Sequence, residues 1–264
     1  MTMIRKVLAA AGRASAIGFA AAAVLLCLLA PVVGHAPRAA EQAAPFQAHL
    51  DRLGVPYRVP DEGKAILVNI PAFELVAFAE GRPVLRSRVI VGAPWHPTPL
   101  IDTYTTVVRF RPTWRPTPAM VRSGEYEDKV WPPGRRNPLG LAAIRLQPGF
   151  LVYLHDTNRR ELFQRDNRAL SHGCIRVQRW DELIAWLLDL DLAEVQRFAN
   201  GRRTFDMPTA QVPVTLGYFT LFPDDAGNPV RHADVYARAD APPADDGQAE
   251  LAAGPGCAAP GGPG

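Results

Sequence analysis

Beyond residue 63 the apolar residues of this chain come in short runs, each ended by proline, glycine or charged residues. Runs of roughly four to eight residues have the length of strands, and several are rich in the β-branched side chains that fit a pleated sheet. Glu80-Gly81 has the composition of a tight turn between two of these runs. The strands predicted in this way cover residues 65–70, 75–79, 84–91, 105–110, 142–146 and 150–154.

Helical periodicity is confined to three short segments. Residues 181–190 carry four apolar side chains at helical spacing, and Asp181 stands where a capping residue is expected. A second helix is predicted over 192–199, ending at Asn200-Gly201, and a shorter one over 43–53. The four apolar side chains are Leu183, Trp186, Leu187 and Leu190.

Residues 111–140 hold many prolines and glycines and show little periodicity, which predicts a long loop or small cap. Loops of this length inside a compact domain are usually functional. Residues 214–222 and 230–236 predict a closing hairpin. Because strands dominate and helices come late, the sequence predicts a mainly β domain with a few helices and a short cap loop.

The first 36 residues have the plan of a targeting segment. Arg5, Lys6 and Arg13 are its only charged residues, and residues 14–34 are uncharged. A basic start followed by an apolar run is typical of a secretory signal, and this run is also long enough to span a bilayer. A cleaved signal and an uncleaved inner-membrane anchor both stay open. In either case the basic residues stay cytoplasmic, which places the remaining chain in the periplasm or cell envelope.

The charge balance excludes one class of partner. The 29 lysines and arginines include the three of the targeting segment, which leaves 26 against 26 acidic residues. Nucleic-acid binding needs a concentrated basic surface, so no nucleic-acid partner is predicted. We expect a linker over 37–63, the folded catalytic domain over 64–240, and a disordered tail rich in alanine, proline and glycine over 241–264.

One stretch of the predicted domain carries the residues of nucleophilic catalysis. Cys27 lies in the apolar segment and Cys257 in the tail, so Cys174 is the one cysteine of the domain and no disulfide framework is expected. A thiolate is strongly nucleophilic, and His155 and His172 are candidate bases for forming it. In an extended strand, His172 and Cys174 would point to the same face.

Gly173 lies between these residues and would let a substrate or a second backbone approach closely. The backbone N–H groups of Gly173 and Cys174 could form an oxyanion site. Two other interpretations stay open at this point. A lone cysteine is more often a small core residue, and His155, His172 and Cys174 could instead bind zinc with an open fourth position.

The block Ser171-His172-Gly173-Cys174-Ile175-Arg176-Val177, preceded by His155-Asp156-Thr157, resembles the active-site signature of the L,D-transpeptidase (YkuD-type) family. The similarity extends over about 64–240 and is to the larger Gram-negative branch of murein L,D-transpeptidases. Further matching positions are Val68-Asn69-Ile70-Pro71, Val91-Gly92, Thr98-Pro99, Trp114, Pro133-Gly134, Asn137, Leu139-Gly140, Val152-Tyr153-Leu154-His155, residues 213–220 and Asp234-Val235-Tyr236.

The resemblance implies a β-sandwich catalytic domain and a cysteine mechanism that uses no metal or other cofactor. Cys174 would attack the carbonyl of the third residue of a peptidoglycan tetrapeptide stem and release the terminal D-alanine. An amine of a neighbouring stem would then take the acyl group, giving a 3→3 cross-link. His155 would be the base, with its tautomer fixed by a backbone carbonyl.

The resemblance also implies roles for the neighbouring residues. His172, Gly173 and Cys174 would form the oxyanion site, and Ser171 would support the loop or touch the substrate. Arg176 would bind a substrate carboxylate, because its planar guanidinium matches that group in two hydrogen bonds. A structural salt bridge is the alternative role of Arg176.

Two departures from the family pattern concern the cap. The segment between Trp114 and Asn137 is much shorter than the cap of the larger branch, and Pro138 stands where a small residue is usual. If water rather than an amine is the acceptor, the protein is an L,D-carboxypeptidase that trims stems. A wall-binding module without catalysis is the third hypothesis.

Overall fold

One large β-sheet organises the protein. The computed structural model describes residues 45–149 and 151–238, while the predicted targeting segment 1–36, residues 37–44 of the linker and the tail 241–264 lie outside the described residues. The strands of the described residues are β1 (Lys64–Asn69), β2 (Glu74–Ala79), β3 (Arg82–Gly92), β4 (Ile101–Phe110), β5 (Ala142–Leu146), β6 (Tyr153–His155), β7 (Ala169–Ser171), β8 (Ile175–Val177), β9 (Phe205–Pro208), β10 (Pro213–Gly217), β11 (Leu221–Pro223) and β12 (Pro229–Arg231). All of them except β11 and β12 belong to the large sheet.

The helices are short and lie mostly in the second half of the domain, as predicted. None of the helices within 45–149 and 151–238 is long and apolar enough to cross a membrane. They are α1 (Phe46–Arg52), α2 (Pro118–Arg122), a 3-10 helix (Arg160–Gln164), α3 (Trp180–Leu188) and α4 (Leu192–Ala199).

The sheet closes on itself through β10. The strands follow the order β10-β1-β2-β3-β8-β6-β5-β4-β9, with β7 beside β3. Val214 of β10 lies opposite Ile66 of β1 on one side and opposite Thr103 of β4 on the other. The mainly β prediction is therefore confirmed, and pairing along β10 joins the faces of the expected sandwich.

Alternation along β1 fills two apolar clusters. Ile66 and Val68 point into the main core inside the sheet, whereas Leu67 points to the opposite face. There Leu67 joins Leu50 of α1 and Phe222 of β11 in a second cluster. Burying a side chain of this size stabilises the fold by roughly 1.5–3 kcal/mol, so α1 is held to the sheet mainly by this face.

The predicted closing hairpin is wrong in its first half. Residues 213–217 form β10 in the main sheet, and only β11 and β12 pair as a hairpin, with Phe222 opposite Val230. At the break, the side-chain amide of Asn69 donates to the Phe219 carbonyl and accepts the Phe219 N–H. Strands β7, β8 and β9 were not predicted, because three or four residues are too few to show a period of two.

Asp181 is not the cap of α3. The residue at the cap position is Arg179, and no side chain caps the helix there. Asp181 instead accepts a hydrogen bond from Gln196 at 2.6 Å, which links α3 to α4.

Candidate active site

Strand pairing brings the predicted base and nucleophile to one face of the sheet. β6 and β8 lie side by side in parallel, with His155 opposite Arg176. Opposite residues point to the same face. Cys174 immediately precedes β8 and packs against Tyr153, which lies two residues before His155 and therefore on the same face of β6. The intervening Leu154 and Ile175 are fully buried in the main core on the other face.

Cys174 is buried against β6. The backbone N–H of Tyr153 donates to its Sγ at 3.4 Å, and Sγ lies 3.7 Å from the carbonyl oxygen of Leu151. Contrary to the sequence expectation, Cys174 is disulfide-bonded in the structure. The nucleophilic form of cysteine is the thiolate, so Cys174 can act as a nucleophile only in the reduced protein.

His155 is buried, and its Nδ1 contacts the carbonyl oxygen of Asp156. This contact places the ring hydrogen on Nδ1 and leaves the lone pair on Nε2. Burial lowers the pKa of His155 to about 3, and the charge of Arg176 adds to the effect, although the carbonyls of Asp156 and Leu139 oppose it. The imidazole is therefore neutral at physiological pH and able to accept a proton.

The turn that holds this carbonyl is fixed by the side chain of Asp156. Its carboxylate accepts the Leu141 N–H at 3.0 Å and pairs with Arg160 at 2.8 Å. Burial raises the pKa of Asp156, while these hydrogen bonds and the Arg160 charge act against burial. Gly140 has a φ of +66°, and a Cβ there would overlap the Asp156 carboxylate. The backbone around His155 is thus fixed from two sides.

Ser171 closes the loop that carries Cys174. Its Oγ donates to the carbonyl of Cys174 at 2.5 Å and accepts the N–H of Gly173 at 3.1 Å. Residues 172–174 lie between β7 and β8, so the predicted extended strand through His172 and Cys174 is wrong. Gly173 has a φ of +105°, which a side chain would strain. Its N–H reaches an oxyanion only if Ser171 releases it.

His172 is held from two other segments. Its Nε2 lies 2.8 Å from Oε2 of Glu125, and its ring stacks on that of His96 at 4.8 Å between centroids. Burial lowers the pKa of His172, the charges of His96 and Arg176 act in the same direction, and Glu125 opposes them. The sequence indicated His172 as a site residue, whereas nothing in the signature block pointed to Glu125 or His96.

The side chain of Arg176 has no hydrogen-bond or ion-pair partner among the residues that the structure describes. The alternative of a structural salt bridge is therefore not supported there. Burial lowers the pKa of Arg176, while the nearby Tyr126 and Glu125 act to raise it. Its charge lowers the pKa of both His155 and His172. Arg176 thus places a positive charge close to both candidate bases.

The cap is a small packed unit rather than an open loop. Trp114 pairs with Trp131 through backbone hydrogen bonds, and Tyr126 packs edge-on against Trp114. The amide of Asn137 donates to the Pro112 carbonyl at 2.9 Å, which fastens the end of the cap to its beginning. Because Glu125 directly precedes Tyr126, this packing fixes the position from which Glu125 reaches His172.

Residues 92–98 form a second wall of the site. The Oγ1 of Thr98 accepts the Gly92 N–H at 2.9 Å and donates to the Gly173 carbonyl at 2.8 Å. The hydroxyl of Tyr236 donates to the Gly92 carbonyl and accepts the Thr98 N–H. Sequence reasoning matched Thr98 and Tyr236 to the family without a role. The structure shows that both anchor the loop that carries His96.

A metal site finds no support in the described geometry. Within 45–149 and 151–238, no three or more His, Cys, Asp or Glu side chains are arranged to hold an ion. The zinc interpretation of His155, His172 and Cys174 therefore lacks a ligand set.

Comparison with known proteins identifies the family. The model of the YkuD family, described as the L,D-transpeptidase catalytic domain, matches residues 63–231. The chain belongs to this family. The resemblance stated from the signature block is thereby confirmed, and the YkuD match includes His155, His172 and Cys174.

Individual relatives of this YkuD chain are distant. A Haemophilus influenzae protein named "Putative L,D-transpeptidase" is 28% identical over 221 residues, which cover 67% of this chain and 45% of that protein. The chain thus spans less than half the length of this curated relative. An L,D-transpeptidase from Mycobacterium smegmatis is 16% identical with a TM-score of 0.37, covering 58% of each chain. The catalytic domain of the E. faecium L,D-transpeptidase is 16% identical with a TM-score of 0.36, covering 59% of this chain and 98% of that one.

Proposed function

We propose that the chain is a peptidoglycan L,D-transpeptidase in which Cys174 is the nucleophile and His155 the base. The observation that carries the proposal is the placement of His155 on the strand beside Cys174, with Nδ1 held by the Asp156 carbonyl. A nucleophile, a base and a group that orients the base are the minimal set for covalent acyl transfer.

The first half-reaction is acylation. The reduced Cys174 gives its proton to Nε2 of His155, and the thiolate attacks the carbonyl of the third residue of a tetrapeptide stem. The tetrahedral intermediate collapses when the C–N bond breaks and His155 returns the proton to the nitrogen of the leaving D-alanine. Sulfur remains bonded to the acyl carbon as a thioester.

The second half-reaction is acyl transfer to an amine. The amine of a neighbouring stem attacks the thioester carbonyl in its neutral form, its nitrogen gives up one proton to a base, the C–S bond breaks, and Cys174 is released as thiolate. The product is a 3→3 cross-link between two stems. Ser171 and Gly173 hold the loop during both steps, and His172 borders the place where the oxyanion forms.

Arg176 binds a substrate carboxylate in this proposal. A largely buried guanidinium without a hydrogen-bond or ion-pair partner among the described residues can bind an anion from outside, and a carboxylate fits its planar donor set. The proposed substrate carries carboxylates on its stem peptide. No nucleic acid is involved.

The proposed place of action is the cell envelope. The substrate lies outside the cytoplasm, and the predicted targeting segment would deliver residues 37–264 there, either released in the periplasm or held by an inner-membrane anchor. Residues 1–36 lie outside the described residues, so this part of the proposal rests on their sequence pattern.

The test is an incubation of reduced protein with purified disaccharide-tetrapeptide, followed by mass spectrometry. We expect a cross-linked dimer that has lost one D-alanine. Cys174→Ala removes the proposed nucleophile and should abolish this product, whereas Cys257→Ala is the matched control and should leave it unchanged. Turnover by Cys174→Ala would contradict the proposal.

Two other results would redirect the assignment. Disaccharide-tripeptide without any dimer would identify water as the acceptor and hence an L,D-carboxypeptidase. Unchanged substrate in every sample, under reducing conditions, would favour a wall-binding module without catalysis.

A further inference from the structure

Three segments of the chain meet at His172. Glu125 comes from the cap, His96 from the loop after β3, and His172 itself lies two residues before Cys174. The mechanism proposed above uses His155 for acylation and gives this second arrangement of histidine and carboxylate no proton to move. The arrangement therefore calls for a separate explanation.

The hydrogen-bond pattern fixes which atoms of the pair are available. Nε2 of His172 donates to Oε2 of Glu125 when the ring is neutral, which leaves the lone pair of Nδ1 as a base. Oε1 of Glu125 has no hydrogen-bond or ion-pair partner among the described residues, and the side chain of Glu125 is 44% exposed. The pair thus offers one carboxylate oxygen and one imidazole nitrogen to a ligand.

The second half-reaction needs both of these groups. An aliphatic amine is mostly protonated at neutral pH, so a carboxylate attracts it, and it must lose protons before and during its attack on the thioester. A base oriented by a carboxylate is the arrangement that proteins use for such a transfer.

We propose that Glu125 and His172 form the subsite for the acyl acceptor, an inference that rests on the proposed transpeptidase function. Oε1 of Glu125 binds the ammonium group of the incoming amine and orients it toward the thioester. His172 accepts the proton that the attacking nitrogen gives up. His96 stacks on the imidazole and restricts its rotation.

The step balances without an additional reactant. The ammonium loses one proton to water and becomes a neutral amine. Its lone pair then forms the new C–N bond, the C–S bond breaks with its electron pair returning to Cys174, and the second proton passes from nitrogen to Nδ1 of His172. That proton later leaves to solvent, which restores the neutral imidazole.

The positive charge of Arg176 affects which amines can bind beside Glu125. Arg176 acts electrostatically on both Glu125 and His172, and Arg159 and Glu161 lie within reach of Arg176. An ammonium alone would meet the repulsion of Arg176. An acceptor that carries a carboxylate on the same carbon as its amine satisfies Arg176 and Glu125 together. A free D-amino acid carries both groups on one carbon and therefore serves as the probe acceptor.

The test measures how the thioester divides between amine and water. Reduced full-length protein is incubated with disaccharide-tetrapeptide and D-methionine, and the ratio of exchanged tetrapeptide to hydrolysed tripeptide is read by mass spectrometry. We expect Glu125→Gln to lower this ratio at least about tenfold, as for the loss of one charge-assisted hydrogen bond. Glu127→Gln, which breaks only an exposed pair with Lys129 in the same cap, is the matched control and should change it less than about twofold.

Hydroxylamine separates acceptor binding from a general disturbance of the site. Hydroxylamine is uncharged at neutral pH and needs no carboxylate to attract it. The ratio of hydroxylamine product to hydrolysed tripeptide should therefore be nearly the same in Glu125→Gln as in the unaltered protein. An equal fall with D-methionine and hydroxylamine would overturn the subsite in favour of a merely structural contact.

The remaining outcomes distinguish the two proposals. If the thioester forms and Glu125→Gln leaves the ratio of exchanged tetrapeptide to hydrolysed tripeptide unchanged, the acceptor subsite alone is overturned. No thioester in the unaltered, reduced protein would overturn the transpeptidase function and the subsite with it.

Discussion

The carboxylate of Asp156 pairs with the guanidinium of Arg160 at 2.8 Å, and this pair steadies the turn whose carbonyl contacts Nδ1 of His155. Asp156 is nearly fully buried at the pair, whereas Arg160 is half exposed. The tautomer of the candidate base thus depends on an ion pair that itself takes no part in proton transfer. A change in this pair should therefore affect the orientation of His155 before it affects the binding of substrate.

The first prediction concerns Asp156→Asn. The amide keeps the shape of the carboxylate and can still accept the Leu141 N–H, but it loses the charge that holds Arg160. We expect the acylation rate, measured as D-alanine release, to fall several-fold. The KM for the tetrapeptide should change little. Asp128→Asn breaks an exposed pair with Arg115 and should leave the rate unchanged. Equal effects of both variants would refute a specific role for Asp156.

The second prediction is a pH dependence of stability. Unfolded histidine binds a proton below a pKa of about 6.5, whereas His155 in the folded protein stays neutral down to its pKa of about 3. Between these values the unfolded state binds more protons, so stability falls as the pH is lowered. One such group contributes at most about 1.4 kcal/mol per pH unit. Urea unfolding of the unaltered protein and of His155→Gln should show a shallower loss for the variant, and identical slopes would show that His155 is protonated in the folded state.

The third prediction separates steric overlap from backbone strain. Gly140 and Gly124 both have a positive φ, +66° and +75°, but only at Gly140 would a Cβ overlap another group, the carboxylate of Asp156. Gly124→Ala should cost about 1 kcal/mol from the left-handed backbone alone. Gly140→Ala should cost clearly more and also slow acylation, because Asp156 must move. The free energies of unfolding and the rate of D-alanine release test this, and similar values for both variants would show that Asp156 gives way freely.

The residues of the candidate site could be singled out from sequence because they lie close together along the chain. Ser171, His172 and Cys174 lie within four positions, and His155 ends a strand whose apolar pattern is visible. The side chains of cysteine and histidine indicate nucleophilic and acid–base chemistry whatever the surrounding fold. The helices α3 and α4 were predicted for the same reason, since their apolar positions repeat within a single segment.

The supports of the site could not be predicted, because they join distant segments. Tyr236 reaches Gly92 across 144 residues, and Glu125 reaches His172 only because the cap packs around its aromatic residues. Strand β8 has three residues, so its neighbours follow from the closed sheet and not from its own pattern. Where a contact depends on topology, the sequence carries no local signal for it.

The last prediction compares two buried threonines. The hydroxyl of Thr98 joins the Gly92 N–H to the Gly173 carbonyl, whereas Oγ1 of Thr103 is buried without a hydrogen-bond partner among the described residues. Thr98→Val leaves two buried backbone groups unpaired and should lower the free energy of unfolding by about 1–3 kcal/mol. It should also slow acylation, because the Gly173 carbonyl loses its anchor beside Cys174. Thr103→Val removes a polar atom that has no partner and should be neutral or stabilising. Urea unfolding and thioester formation measured on both variants provide the test, and a Thr98→Val protein with unchanged stability and rate would show that the loop over residues 92–98 is held without this hydroxyl.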